Sequence, residues 1–352
     1  MNTTNALQAL QGKTPGVQIT STSGQPGESL KVRIRGLGTV ADASPLFVVD
    51  GILTNDITYL NNSDIESIDV LKDAASAAIY GSQAANGVVL ITTKTGKTGA
   101  KAQITFDAYY GVQQAARKAK LLNSQQYATI MNEAAINSGK SAYFTNDEIA
   151  NMGTGTNWID EMLVDDAITQ NYSLGASGGS AASVWSMSLS YTGQEGIVGG
   201  KDLSNYERYN FRVNTEHNLY DNKVRLGQHL TFSYSKKNGI QVGNQYNNTL
   251  RAAFNTSPFV PMYDENGNFW NNSNSDWYNG EANPYAQMVY NNQNKSNTQK
   301  LVGDVYLELE PIKNLKFRTT LGIDYFASES NSYKPIYRLS LYCLLYTSDA
   351  AD

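Results

Sequence analysis

The 352-residue chain has a single cysteine, Cys343, so no disulfide framework holds it together. Charge is scarce: 17% of residues are charged and the formal net charge is −5. A nucleic-acid-binding surface is normally basic, so nucleic acid is excluded as a partner. No run approaches the roughly 18 consecutive apolar residues of a membrane-spanning helix. The most apolar stretch, Val88 to Ile91, suits one short strand. This absence leaves a membrane barrel open, because barrel strands alternate and average to a mild hydropathy. The opening Met1-Asn2-Thr3-Thr4 has no basic n-region and no apolar h-region, so the N-terminus of an exported protein is expected upstream. What is abundant is Tyr, at 23 residues, and Gly, at 29, with Asn and Ser crowding the second half. That mix suits a β-rich protein with long polar loops.

The chain changes character near residues 96–100. Before them, short strands are expected at 16–20, 30–35, 46–49, 65–71 and 88–94, separated by Gly turns such as Gly24-Gln25-Pro26-Gly27 and Asp50-Gly51. Residues 6–11 read as a helix end. Asp73 is placed to cap a short helix over 74–80, stopped by Gly81.

After them, period-two alternation recurs. In Trp185-Ser186-Met187-Ser188-Leu189-Ser190-Tyr191-Thr192 every odd position is apolar and every even one polar. Similar runs at 104–110, 172–177, 209–214, 224–235, 303–310 and 315–325 give about seven strands, each about 9–11 residues if they cross a membrane at a tilt. Their connections alternate long and short: long at 112–168 and 238–298, short at 178–180, near 217–222 and at 311–314. Bacterial outer-membrane barrels have this asymmetry. The spacing also predicts helices over 124–137 and 158–163 inside the first long connection. Arg212, Asn214, Arg225, Asp304, Glu308, Lys316 and Arg318 fall on the lumen register. Trp185, Leu189, Phe211, Phe232, Leu307 and Ile323 fall on the lipid register.

Val32-Arg33-Ile34-Arg35-Gly36-Leu37-Gly38, Pro45-Leu46-Phe47-Val48-Val49-Asp50-Gly51 and the run IESIDVLKDAASAAIYGSQAANGVVLITTKTGK at 65–97 closely resemble SusC/RagA-type TonB-dependent outer-membrane transporters. The resemblance covers roughly residues 6–337. It implies an α+β plug domain over 1–98, followed over 99–340 by the first strands of an antiparallel transmembrane β-barrel. Such a barrel has about 22 strands when complete. It further implies import of oligosaccharides or peptides across the outer membrane of a Bacteroidetes-type bacterium, energy from a TonB complex that pulls on the plug, and a SusD-like surface lipoprotein as lid. No cofactor and no enzyme activity are implied. The family's signal peptide, small sandwich domain and TonB-contacting box would lie upstream of Met1. Residues 341–352 abandon the alternation and are expected to be a non-native tail.

Arg33 and Arg35 project from one face of a strand and are expected to pair with carboxylates on the barrel wall, holding the plug. With Gly36, Asp50, Gly51, Lys72, Asp73 and Tyr80 they form the candidate plug–barrel gating set. In the longest loop, Trp270, Trp277, Tyr278 and Tyr285 are candidates for substrate or lipoprotein contact, with ordinary loop packing an equal alternative. Other motifs fail their context tests. Gly36-Leu37-Gly38-Thr39-Val40-Ala41 is followed by Pro45 and a strand, not a helix. Gly96-Lys97-Thr98 lacks the first Gly of a phosphate loop, because Ile91 stands there. Asp264-Glu265-Asn266-Gly267-Asn268 has Phe269 where a calcium loop requires Gly, so a hairpin tip is expected. His217, expected in a short turn, and His229, on a lumen register, make no metal site, and no nucleophile elbow is present. A secreted β-rich glycan-binding or adhesin protein without transport is the competing reading.

Overall fold

The computed structural model of the chain describes residues 7–8, 11–12, 14–21, 23–34, 43–73, 78–240, 248–271, 282–292, 294–333 and 335–339. The helix end at 6–11, most of the 74–80 helix and the 341–352 tail thus fall largely or wholly outside the described residues.

The first part contains a hairpin of β1 (Val17–Ser21) and β2 (Leu30–Ile34), and a four-stranded sheet. The sheet comprises β3 (Leu46–Val49), β4 (Ile52–Thr54), β5 (Ile65–Leu71) and β6 (Val88–Thr93), in the order β4-β3-β6-β5. β3 runs parallel to β6, and all four of its residues are buried, as expected for a strand covered on both faces. Val49 and Ile52 pair across Asp50 and Gly51, whose φ values of 48° and 91° suit a two-residue type I′ hairpin turn. One sheet face packs Phe47, Val49, Val89 and Ile91 with Ile19, Val32, Ile34 and Leu60; the other packs Leu46, Val48 and Val88 against Ala84 and Tyr80.

The second part is one antiparallel meander of seven strands: β7 (Gln103–Gln113), β8 (Ala167–Gly179), β9 (Ser183–Glu195), β10 (Asn205–Leu219), β11 (Val224–Asn238), β12 (Lys295–Ile312) and β13 (Leu315–Asn331). The alternation expected from sequence is present, but the strands run 11 to 18 residues, longer than the membrane alone requires. His217 lies inside β10, and the turn begins only at Tyr220; the expected His217 turn is corrected. Its Nδ1 sits 2.8 Å from Ser183 Oγ on the neighbouring strand.

Two faces result. Outward, Tyr172, Tyr191, Tyr209 and Tyr234 stand directly opposite one another across four strands. Leu174, Leu189, Phe211, Phe232 and Leu301 form the next row, then Ala176, Met187, Val213 and Leu230. From Tyr209 to Leu219 is ten steps, which at about 3.3 Å each and a tilt near 45° spans about 23 Å, close to the roughly 25 Å apolar band of such barrels. Inward, Ser186, Ser188, Ser190, Thr192, Arg208, Asn210, Arg212 and Asn214 are buried and polar. An exposed apolar face and a buried polar face invert a soluble sheet, as a lipid-embedded wall demands.

Candidate functional site

The site is where the small sheet meets the wall, and β10 carries it. Period-two geometry sends Arg208, Asn210, Arg212 and Asn214 to the same face. Each finds a group on the smaller domain. Arg208 donates to Thr58 O and Asn210 to Tyr59 O. Arg212 Nη1 donates to Lys94 O at 2.6 Å, and its Nε lies 3.3 Å from Asp64 Oδ1. Both side chains of that ion pair are almost sealed from solvent, at 3% and 4% exposure. The Asn214 amide lies 2.8 Å from Thr93 Oγ1. Its nitrogen in that place donates to Thr93; the opposite amide orientation turns its oxygen there, where it also accepts from Arg212 Nη1 at 2.8 Å.

Strand β9 adds Ser186, whose hydroxyl donates to Lys94 O at 2.8 Å, and β8 adds Ser173, 2.8 Å from Ser63 Oγ. Most wall donors therefore read backbone carbonyls. Lys94 N in turn donates to Asp64 O at 2.8 Å, tying the β6 end to the segment that carries the buried carboxylate. Val302 of β12 inserts into the apolar core of the smaller domain. Tyr59 is buried beside it, and burial pushes its hydroxyl far above the ordinary tyrosine range, followed by the charges of Asp324, Asp50 and Asp56.

At the opposite end from the short turns, the long loops build a folded cap. Its helices are α1 (Ser124–Asn137), α2 (Asn146–Asn151), α3 (Trp158–Met162), α4 (Gly200–Leu203), α5 (Thr249–Asn255) and α6 (Pro284–Asn291). The first coincides with its sequence expectation. Trp158, Ile159 and Met162 pack with Ala253, Val260 and Met288, and Trp158 Nε1 donates to Ser257 O at 3.2 Å. The region expected as a single 238–298 loop thus contains α5, α6 and the start of β12.

The plug description, TonB-dependent receptor plug domain, matches residues 1–88. TonB-dependent receptor P26 of Formosa agariphila is 36% identical over 337 residues, 93% of this chain and 32% of P26. TonB-dependent receptor SusC of Bacteroides thetaiotaomicron is 30% identical over 356 residues, 92% of this chain and 34% of SusC. The chain belongs to the SusC/RagA-type TonB-dependent receptors. It spans about a third of the length of these curated relatives. The RagAB peptide importer in its closed-closed state superposes with a TM-score of 0.79 at 23% identity, over 97% of this chain and 41% of that one, a likeness of fold. This receptor is an outer-membrane protein of the Bacteroidetes type.

The receptor's expected gating residues fall in several places. Arg33 lies on β2 opposite Gln18, half-buried, and meets no carboxylate at ion-pair distance among the described residues. Arg35 and Gly36 lie outside the described residues. The buried ion pair that joins plug and wall has the reverse polarity, a plug carboxylate (Asp64) and a wall guanidinium (Arg212). Asp50 is internal to the plug, accepting from Thr93 N at 2.9 Å and Thr93 Oγ1 at 2.6 Å. Through Thr93 it is linked to Asn214 on the wall. Gly51 supplies the second positive φ of the turn. Lys72 donates to Pro15 O, Asp73 is exposed, and Tyr80 packs on the Leu46 face. Among the described residues, neither Lys72 nor Tyr80 has a hydrogen bond or ion pair to β10.

In the long loop, Trp270 and Tyr285 pack against the cap core, and burial raises the Tyr285 hydroxyl above its ordinary range. Trp277 and Tyr278 lie outside the described residues. The Asp264 hairpin tip is present: Asp264 Oδ1 accepts from Asn266 N at 2.9 Å and Asn268 N at 2.8 Å. No cluster of metal-ligating side chains occurs among the described residues.

Sequence reasoning placed Arg212 and Asn214 toward the lumen but missed Arg208 and Asp64. The available signal was the spacing Arg208, Asn210, Arg212, Asn214: four hydrogen-bond donors two apart on one strand, with no acidic residue among them.

Proposed function

We propose that this receptor is part of an importer that carries oligosaccharides or peptides across the outer membrane. The plug gates the barrel, a TonB complex supplies energy, and a SusD-like surface lipoprotein covers the outer end. The observation that carries this reading is the docking of a separate folded domain on the polar face of a lipid-facing wall. A solute too large for an open pore needs a seal that is strong at rest and removable on demand. Hydrogen bonds from β10 to plug carbonyls, with one buried ion pair, give such a seal. RagAB is described as a peptide importer, which supports peptide as one substrate class. The test is uptake of labelled peptides and oligosaccharides by the native bacterium expressing the full-length receptor. Uptake that stops when the TonB complex is removed is expected. Uptake indifferent to TonB, or recovery of the full-length protein from the medium and not the outer membrane, overturns the reading.

A further inference from the structure

The plug's outermost segment, the β1–β2 loop, is gripped from three sides. Gln25 donates its side-chain amide to Ile240 O, Gly27 N donates to Gln194 Oε1 at 3.2 Å, and Glu28 pairs with Lys237 at 3.0 Å. Gly27 has φ +65°, and a Cβ there would lie 2.2 Å from the Tyr206 ring, so the loop is seated on the wall as closely as backbone allows. Beside this seat are two recesses that share Ser23, Gly24 and Gln25. One, of about 240 Å³, is walled by Pro26, Ile197, Val198, Ile240 and Leu250. The other, of about 120 Å³, is polar and is lined by Glu28, Gln194 and Arg208. Arg208 is buried behind this half, its two Nη atoms donating to Thr58 O and, at 3.4 Å, to Thr192 Oγ1.

We infer that this paired recess is a substrate subsite for one residue of a peptide, with an apolar side chain in the aliphatic half and the peptide main chain over the polar half beside Gln194 and Glu28. The inference rests on the import reading and narrows its substrate class. The aliphatic half is smaller than the roughly 300–1,000 Å³ of sites that enclose a whole small molecule, so it takes one unit of a longer ligand. A sugar ring carries hydroxyls around its rim, and these aliphatic walls would leave several unpaired. The described aromatics of the longest loop do not line it; Trp270 and Tyr285 are spent on the cap core. A residue seated there lies against Gln25, so the plug itself senses it.

Gly24 supplies the test, because a Cβ built on it meets nothing within 4 Å and its φ is not positive. Gly24 lines both recesses, so Gly24→Leu adds an isobutyl group at their shared edge with no clash at its Cβ. The full-length receptor is titrated calorimetrically with octapeptides of Gly, Ser and Asn that carry either one Leu or Ser in its place, and with a maltooligosaccharide. Wild type is expected to bind the Leu peptide at least about tenfold tighter than the Ser peptide, the scale of burying one Leu side chain. Gly24→Leu is expected to abolish that preference while leaving membrane insertion intact. A Leu preference that survives in Gly24→Leu overturns the subsite. Binding of the maltooligosaccharide alone overturns the peptide assignment. In both cases TonB-dependent uptake persists, whereas failure of the import reading itself shows as uptake without TonB dependence.

Discussion

Asp64 and Arg212 meet across the plug–wall boundary, with Oδ1 and Nε 3.3 Å apart and both side chains almost fully buried. Removing one partner leaves an unpaired charge in a low-dielectric gap, at a cost of about 3–5 kcal/mol. Asp64→Ala in the full-length receptor is expected to lower the plug's unfolding transition by that amount. The double variant Asp64→Leu with Arg212→Met should recover much of the loss. Thermal or denaturant unfolding followed by a plug-specific probe checks this. A single-variant effect below about 1 kcal/mol, the range of exposed pairs, would show that the pair is solvated.

The outward rows predict depth dependence. Val305 lies mid-band on β12, outward and half exposed, while Glu308 points inward to Arg225 and Lys316. Val305→Arg is expected to destabilise membrane insertion by about 2–4 kcal/mol, and Glu308→Arg by clearly less. Folding titrations into lipid vesicles give the comparison, and equal penalties would contradict the register. Leu307→Arg, nearer the periplasmic rim, should fall between them.

Trp158 is fully buried at the centre of the loop cap. Trp158→Ala is expected to destabilise the cap by about 3–5 kcal/mol, since it leaves a large cavity and an unpaired Ser257 carbonyl. Hydrogen exchange should rise in residues 121–163 and 249–292 with the wall strands unchanged. Uniform protection would mean that the loops do not form one cooperative unit.

Helix α2 should be pH-sensitive at its first turn. The backbone N–H and hydroxyl of Thr145 both donate to Glu148 Oε2, at 2.7 and 2.9 Å, and hold that carboxyl below its ordinary range. Because the folded pKa is depressed, the stabilisation is complete above the unfolded value and disappears as pH falls through the folded one. Amide exchange in Asn146–Asn151 should accelerate on acidification below the usual carboxylate range. Glu148→Gln keeps a capping side chain and should remove this dependence. Persistence of the pH effect in that variant would assign it to another group.

The wall was legible in the sequence because its two faces meet different surroundings. Lipid outside and polar contacts inside force an alternation that survives in one dimension, as in Trp185 to Thr192. Helix α1 was legible because Tyr127, Ile130 and Met131 fall on one helical face, and the structure adds a capping box of Asn123 and Gln126 at its start. The Asp64–Arg212 pair was not, because its partners are 148 positions apart (212 minus 64) and nothing local marks Asp64. Arg33 and Arg35 attracted attention by charge, yet Arg33 meets no wall carboxylate among the described residues, and the wall instead binds plug carbonyls that every residue has. The assembled cap was hidden for a related reason: α5 and α6 are short, and their apolar faces, like that of the expected helix at 158–163, make sense only against each other.

Lys94 O accepts from Ser186 and Arg212, on two adjacent wall strands, and the Asn214 amide lies 3.3 Å from it. Contacts that converge on one atom share its fate. A shift of that carbonyl by about an ångström carries these donors out of hydrogen-bonding range together. The end of β6 is thus a brittle joint, stiff under thermal jostling and yielding in a single step under tension.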